Sequence, residues 1–374
     1  MQSWRLLAQD TAVSAARGLA FDEALLGAYH RDAPPAPPTL RLYTYRSHCA
    51  LVGRYQDLNA EVDLAACREI GAEVGRRPTG GGAIVMGAGQ LGIALATRAP
   101  AGERPREMLT RFAQGVSAGL AELGVSASLR GKNDLEVDGR KIAGLGVYVD
   151  DDGGLLFHAS VLADLDVELM LTLLRVPAVK LADKAAASVH ERVTTLTQQT
   201  GRPMDGAGLR EVLALGFAKA FTVELEPGAP TSAELAATED LAQRRYLDEA
   251  WLGLHGPSTD ATGTAAVKTP SGLLRAYVAA RGQIATSVLF SGDLMDLPAS
   301  VRELESLLRW GRLQADAVDR AVRASGAAGD LGCAPEVLTQ AVLSAAAGAA
   351  QPAAFPARAQ GSCYYPEQVR EGDH

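Results

Sequence analysis

The chain predicts an α+β protein in two parts, a larger domain of mixed or antiparallel sheet flanked by helices and a second, smaller α+β domain. Three observations carry this. At 374 residues the chain exceeds the usual size of one hydrophobic core, so two domains are expected. Asp138-Gly139 separates two strand-forming runs, and this pair suits a two-residue hairpin because both central positions of a type I′ turn take positive φ. Pro105 to Leu123 sets Leu109, Phe112, Val116, Leu120 and Leu123 along one helical face before Gly124, which predicts a long amphipathic helix lying on the sheet.

The elements follow in order. Leu19, Leu25, Leu26 and Tyr29 have helical spacing, and four prolines between Arg31 and Pro38 end that helix. Leu40 to Val52 and Ala83 to Ala96 are runs of strand formers. The hairpin joins Asp134–Val137 to Lys141–Val149, and the acidic turn Asp150–Gly154 returns the chain as Leu155–Leu162. In this meander Lys141 and Ile142 fall on opposite faces. Asp166 is placed to cap a short helix reaching Arg175, and Leu209 to Phe221 predicts another. Composition shifts at Glu226-Pro227-Gly228-Ala229-Pro230, and a bridging helix with Leu241, Tyr246 and Trp251 leads to Gly256-Pro257. From Gly263 the pattern restarts, with strands Leu273–Ala279 and Ile284–Phe290 and helices from Pro298, Gln314 and Pro335. The expected domains are 1–255, with the bridging helix at about 232–255, then 256–346, then an Ala/Pro-rich tail over 347–374.

Composition narrows the function. A formal net charge of −8 argues against a general nucleic-acid binder. No run of eighteen apolar residues occurs, and Met1-Gln2-Ser3-Trp4-Arg5 lacks the layout of an export signal, so a cytoplasmic protein without a membrane partner is expected. Cys49, Cys67, Cys333 and Cys363 have no CxxC spacing, which indicates neither a zinc site nor a disulfide scaffold.

The segment Arg76-Arg77-Pro78-Thr79-Gly80-Gly81-Gly82 runs into the strand formers Ile84 and Val85. Three glycines discard their side chains, so the backbone can bend through positive φ and a ligand can lie against exposed N–H groups. Arginines beside such a cradle suit phosphate or carboxylate. A plain turn is the competing reading of the same residues.

Together with Lys132-Asn133-Asp134-Leu135 and Gly139-Arg140-Lys141-Ile142-Ala143-Gly144, this loop resembles the lipoate-protein ligase A family, within the lipoyl, octanoyl and biotin ligase and transferase superfamily. Phe21-Asp22-Glu23, Gly53-Arg54-Tyr55-Gln56, Phe157-His158-Ala159-Ser160, Lys180-Leu181-Ala182-Asp183-Lys184 and Arg192-Val193-Thr194 extend the resemblance. The segment from Gly263 resembles the accessory domain of the long form. The resemblance implies an ATP-dependent ligase that activates lipoate or octanoate as an acyl-adenylate with magnesium. It would then pass the acyl group to a lysine of a lipoyl carrier domain of 2-oxoacid dehydrogenases, or of a glycine-cleavage-H-like carrier protein. On this reading Lys141 is the catalytic cation. Arg77, Thr79, Gly80, Gly81, Gly82, Gln90, Asn133, Asp134, Ala143, Gly144, His158 and Lys184 bind the acyl-adenylate, and Asp134 is a possible magnesium contact. Arg76 is either a ligand or a structural partner.

One departure stands out. Many ligases follow the glycine strand with His-Asp, where this chain has Met86-Gly87-Ala88-Gly89-Gln90, and Gln90 is a candidate substitute for the missing contacts. The alternatives are an octanoyl or lipoyl transferase using a carrier-bound acyl donor, or a lipoate or carrier binder without turnover. A thioester-forming transferase needs a thiol facing Lys141, and no cysteine lies between Cys67 and Cys333.

Overall fold

The computed structural model describes residues 2–8, 13–175, 189–257 and 262–349. The chain separates into two compact units. The first runs to Gly256 and includes Ser271–Leu274 and Ser291–Leu297; the second comprises Pro257–Pro270, Arg275–Phe290 and the chain from Pro298.

The first unit is built on two sheets. Its strands are β1 (Gln2–Leu7), β2 (Thr39–Tyr43), β3 (Cys49–Val52), β4 (Glu73–Arg76), β5 (Ile84–Met86), β6 (Gln90–Arg98), β7 (Ser128–Arg130), β8 (Asp134–Val137), β9 (Arg140–Val149), β10 (Gly154–Leu162) and β11 (Val223–Pro227). The large sheet has the order β11-β1-β2-β6-β10-β9-β8-β7, and the small sheet is β4-β3-β5. Strand β1 is parallel to both β2 and β11, whereas the centre of the large sheet is antiparallel. The predicted meander is β8-β9-β10, and its hairpin turn has φ of 50° at Asp138 and 76° at Gly139.

Each face of the large sheet carries a core. On one, helix Pro105–Glu122 buries Leu109, Phe112, Val116 and Leu120 with Leu213 and Phe217 of helix Arg210–Phe221, against Leu40, Ile93, Leu95, Phe157 and Ile142. A fully buried Leu or Phe of this kind contributes roughly 2 kcal/mol. On the other face, helix Ala15–Ala24 and the 3₁₀ turn Leu25–Tyr29 bury Leu19, Phe21, Leu25 and Leu26 against Tyr43, Ala94, Ala96 and Leu156. Ser14 caps the first helix by accepting from Arg17 N–H, and Asp166 caps Val167–Leu173 as its position predicts.

Several elements differ from the sequence expectation. Leu40–Val52 is two strands in different sheets, divided at a corner where Arg46 Nε and Ser47 Oγ donate to Glu73 Oε1 at 2.8 and 3.0 Å. Ala83–Ala96 likewise divides into β5 and β6. The first residues form β1, and the shift at Glu226-Pro227 is the end of β11. Proline is tolerated there because that strand lies at the sheet's edge.

A three-stranded sheet, most of it in the second unit, comprises β12 (Thr262–Thr269), β13 (Gly272–Arg281) and β14 (Ile284–Gly292), one strand more than the sequence pattern predicts. Helices Ala299–Leu308, Ala315–Ser325, Ala327–Asp330 and Pro335–Ala347 accompany it, and Val278, Phe290, Leu304, Val318, Val322, Leu338 and Val342 are buried. Among the described residues no helix is long and apolar enough to cross a membrane.

Candidate active site

A cavity of about 320 Å³ in the first unit is lined by the glycine loop and by the sheet face that carries Tyr43, His158 and Ser160. Its floor is set by register. Ser160 lies opposite Gly92 on β6 and Gly144 on β9, and His158 lies opposite Ala94 and Gly146. Small residues opposite the polar ones keep the floor low, because side chains along one face of neighbouring strands otherwise meet. A Cβ on Gly144 would stand 3.1 Å from Lys141 Nζ and 3.3 Å from Ser160 Oγ.

Lys141 reaches this cavity through an irregularity. Pairing of β8 with β9 jumps from Leu135↔Ala143 to Glu136↔Lys141, leaving Ile142 as an extra residue. With unbroken alternation Lys141 would share the face of Ala143, which is buried in the core. The bulge turns Lys141 to the opposite face while Ile142 and Ala143 both stay in the core. There Lys141 Nζ forms a 2.8 Å ion pair with Asp134 Oδ1, both side chains about one-third exposed. Asn133 clamps the neighbouring turn, its Nδ2 donating to Leu145 O at 2.8 Å and its carbonyl accepting from Leu145 N–H.

The two arginines of the loop face different surroundings. Arg76 is fully buried and donates to the carbonyls of Trp251, Leu252, Gly53, Arg54 and Gln56, so it is a structural tie. Arg77 lines the cavity, but its Nη1 donates to Leu51 O at 2.7 Å and its Nη2 to Gly82 O at 2.8 Å. Burial pushes the pKa of each down to about 10, which leaves both guanidinium groups charged at neutral pH. Within the loop only Gly81 takes positive φ, at 97°, and its N–H donates to Leu294 O at 2.8 Å. The three-glycine cradle expected from the sequence is therefore narrower, with Gly80 and Gly82 on the cavity wall and the Gly81 amide already engaged.

A second polar cluster was not anticipated. Asp22, fully buried on helix Ala15–Ala24, accepts from Arg41 Nη1 at 2.6 Å and Tyr43 Oη at 2.8 Å, and its Oδ2 lies 2.9 Å from His158 Nε2. Burial raises the Asp22 carboxyl, but Arg41 and the hydrogen bonds from His158 and Tyr43 outweigh it and hold the group below its ordinary value. Tyr43 and Tyr45 continue this wall toward an apolar end formed by Leu19, Leu51, Ile84 and Met86. The i, i+2 spacing of Arg41, Tyr43 and Tyr45 was the available signal, since alternate residues of a strand share one face.

Of the residues expected at the site, Lys141, Arg77, Thr79, Gly80, Gly82, Asn133, Asp134, Gly144 and His158 line the cavity. Three do not. Gln90 is buried with its Nε2 donating to Asp164 O at 2.7 Å. Ala143 packs in the core below the bulge, and Gly81 lies behind its neighbours, bonded to Leu294. Lys180, Lys184 and Cys363 lie outside the described residues. Where the family often carries the histidine, Met86 adds to the apolar end. Ser160, Lys132 and Asp293 also border the cavity and were not among the expected site residues. Among the described residues no cysteine lines it: Cys49 and Cys67 are buried, and burial raises the pKa of both thiols, while Cys333 lies in the second unit. No group of three metal-ligating side chains occurs among the described residues.

An ion-paired lysine in a sheet-floored cavity whose wall also holds a glycine loop and a group of apolar side chains is the arrangement of an enzyme of the lipoate ligase and transferase type. The chain belongs to the lipoyl protein ligase A/B catalytic domain family, whose model matches residues 14–218. It is 34% identical over 275 residues to a protein of Symbiobacterium thermophilum named octanoyltransferase LipM, covering 67% of this chain and 97% of that one. It resembles a structure from Thermoplasma acidophilum, described as a bi-partite lipoate protein ligase and its E2 lipoyl domain, with a TM-score of 0.62 and 27% identity over 69% of this chain and 100% of that one. A lipoate-protein ligase A bound with ATP gives a TM-score of 0.59 at 26% identity, covering 68% of this chain and 100% of that one.

Proposed function

We propose that this protein joins a medium-chain acyl group, lipoyl or octanoyl, to the lysine amine of a lipoyl carrier domain. The apolar side chains Leu19, Leu51, Ile84 and Met86 suit an acyl tail, and the ammonium of Lys141 in the same cavity suits its carboxyl end. Carboxylate and phosphate repel each other, so a fixed ammonium between them stabilises the charge that develops as they react. The donor we favour on geometry is the free acid, activated by ATP and magnesium as an acyl-adenylate. The observation behind this is that no thiol among the described residues reaches the cavity, whereas a thioester route through the enzyme needs one. ATP fits the chemistry of Lys141, Lys132 and the backbone of Gly80 and Gly82, and magnesium would rest largely on phosphate oxygens and water with Asp134 beside them. The carrier is a lipoyl domain of a 2-oxoacid dehydrogenase or a glycine-cleavage-H-like protein, in keeping with the lipoyl domain of the Thermoplasma system.

The second reading is transfer of an octanoyl group from a carrier-bound thioester. The name octanoyltransferase LipM, borne by the Symbiobacterium relative and by others at 31% and 28% identity, weighs toward this route more than toward ligation. One comparison separates the two. The full chain is given octanoate or lipoate with ATP and magnesium, or octanoyl-acyl carrier protein alone, and carrier acylation is followed by mass. Acid-dependent exchange of pyrophosphate into ATP supports ligation. Acylation from the thioester alone, lost on replacing one cysteine by serine, establishes transfer and overturns the adenylate route.

A further inference from the structure

We propose that His158, backed by Asp22, accepts the proton from the carrier lysine's ammonium so that the amine can attack the acyl carbonyl. The inference rests on the reading that an amine is acylated in this cavity, and it holds for either acyl donor. A lysine ammonium has no lone pair, so some group must take its proton, and the cavity offers few. Lys141 is unsuited because its catalytic part is to stay cationic, and it is paired with Asp134. Arg77 is a guanidinium tied to carbonyls. His158 is an imidazole, whose second ring nitrogen carries a lone pair that can accept a proton.

The geometry gives the imidazole one orientation. Both Asp22 oxygens are occupied, Oδ1 by Arg41 and Oδ2 by Tyr43 and His158 Nε2, so the buried carboxylate receives the Nε2 hydrogen. That tautomer leaves Nδ1 with its lone pair free to accept. His158 lines the cavity, and its side-chain hydrogen bond among the described residues is made through Nε2, which leaves Nδ1 as the ring nitrogen available to an incoming amine. A carboxylate behind an imidazole fixes its orientation and stabilises the imidazolium once the proton arrives, the arrangement that activates nucleophiles on many folds. Placement agrees as well. Ser160, beside Lys141, is two residues along β10 from His158, about 7 Å at a strand's rise, so an acyl carbonyl held at Lys141 leaves room for an amine on the histidine side. The titratable or charged groups that contact His158 or share its cavity are Asp22 from the helix, Arg41, Tyr43 and Tyr45 from the β2 side, Lys141, Asp134 and Lys132 from β9, β8 and the turn before β8, Arg77 from the loop, and Asp293.

The step balances as follows. One ammonium proton passes to Nδ1, the nitrogen lone pair forms the C–N bond, and the bond from the acyl carbon to the donor's oxygen or sulfur breaks with its electron pair. The second N–H proton leaves with the departing phosphate or thiolate.

His158→Gln keeps a donor for Asp22 and removes the base. The full-length enzyme, supplied with octanoate, ATP and magnesium or with octanoyl-acyl carrier protein, is followed from pH 6 to 10 with two acceptors, a lipoyl domain and hydroxylamine. Hydroxylamine is already unprotonated at neutral pH and needs no base. H158Q should lose roughly 100-fold toward the lipoyl domain at pH 7, a deficit that closes about tenfold per pH unit, and less than about threefold toward hydroxylamine. Equal losses with both acceptors at every pH, or no loss, overturn the proposal, and His158→Asn gives the same readout if H158Q does not fold. A wild type that acylates neither acceptor from either donor overturns instead the functional reading on which it rests.

Discussion

Lys141 and Asp134 face each other across the β8–β9 hairpin at 2.8 Å because a one-residue bulge at Ile142 turns the lysine off the core face. The pair is partly exposed, and ion pairs in that setting contribute at most about 1 kcal/mol to stability. Its position at the cavity, rather than its contribution to the fold, is what the bulge secures.

Replacing Lys141 by Met should therefore separate activity from stability. We expect acyl transfer in single-turnover assays to fall by at least about 100-fold, the scale for losing one charge that stabilises a transition state. Urea denaturation should show a change below about 1 kcal/mol. Retained transfer in K141M would remove the lysine from the chemistry.

Arg76 should behave in the opposite way. Its guanidinium donates to five carbonyls, three of them in buried hydrogen bonds. Arg76→Met leaves those acceptors without a donor, and a loss of roughly 3–5 kcal/mol is expected by denaturant titration. Any residual folded protein should still bind acyl acid, since the side chain does not line the cavity.

Much of this site was legible in the sequence, and the remainder has physical reasons. The Asp138-Gly139 turn is a local signal and forms where the spacing put it, whereas the bulge that turns Lys141 into the cavity has no signature in the spacing. Arg76 and Arg77 read alike in the sequence, yet one ties carbonyls out of reach and the other borders the ligand space, because chain neighbours on a strand point to opposite faces. Asp22 was visible only as part of a helical motif. Its partners Arg41, Tyr43 and His158 come from 19 to 136 residues away, a separation that no local pattern encodes. The acceptor that Gln90 meets, the carbonyl of Asp164, lies 74 residues further on and leaves no mark beside the glycine strand.

Gly53 tests the loop's support. A Cβ there would sit 2.0 Å from Gly81 O, a contact that only backbone movement can relieve. Gly53→Ala should displace the glycine loop and weaken nucleotide or acyl binding by about tenfold or more, read by calorimetric titration, while leaving the far helices of the unit intact by hydrogen exchange. Unchanged binding would mean that the loop does not form the ligand wall.

The Asp22 cluster predicts a pH signature. Because the fold holds this carboxyl below its ordinary 3.8, its contribution to stability is present above that pH and is lost as pH falls through the folded value. Asp22→Asn should be less stable than wild type at pH 7, and the gap should narrow below about pH 4. Parallel stability curves for the two proteins across that range would show that Asp22 carries no linked proton.

The pairing of β1 with β11 has a consequence for how the chain is made. Residues 2–6 lie beside residues 223–227, so during synthesis β1 must wait for more than two hundred further residues before one of its edges is covered. Closure over so long a loop slows folding and exposes a bare strand edge meanwhile. Expression fragments that stop short of residue 223 should accordingly aggregate even though they retain every side chain of the cavity that precedes it.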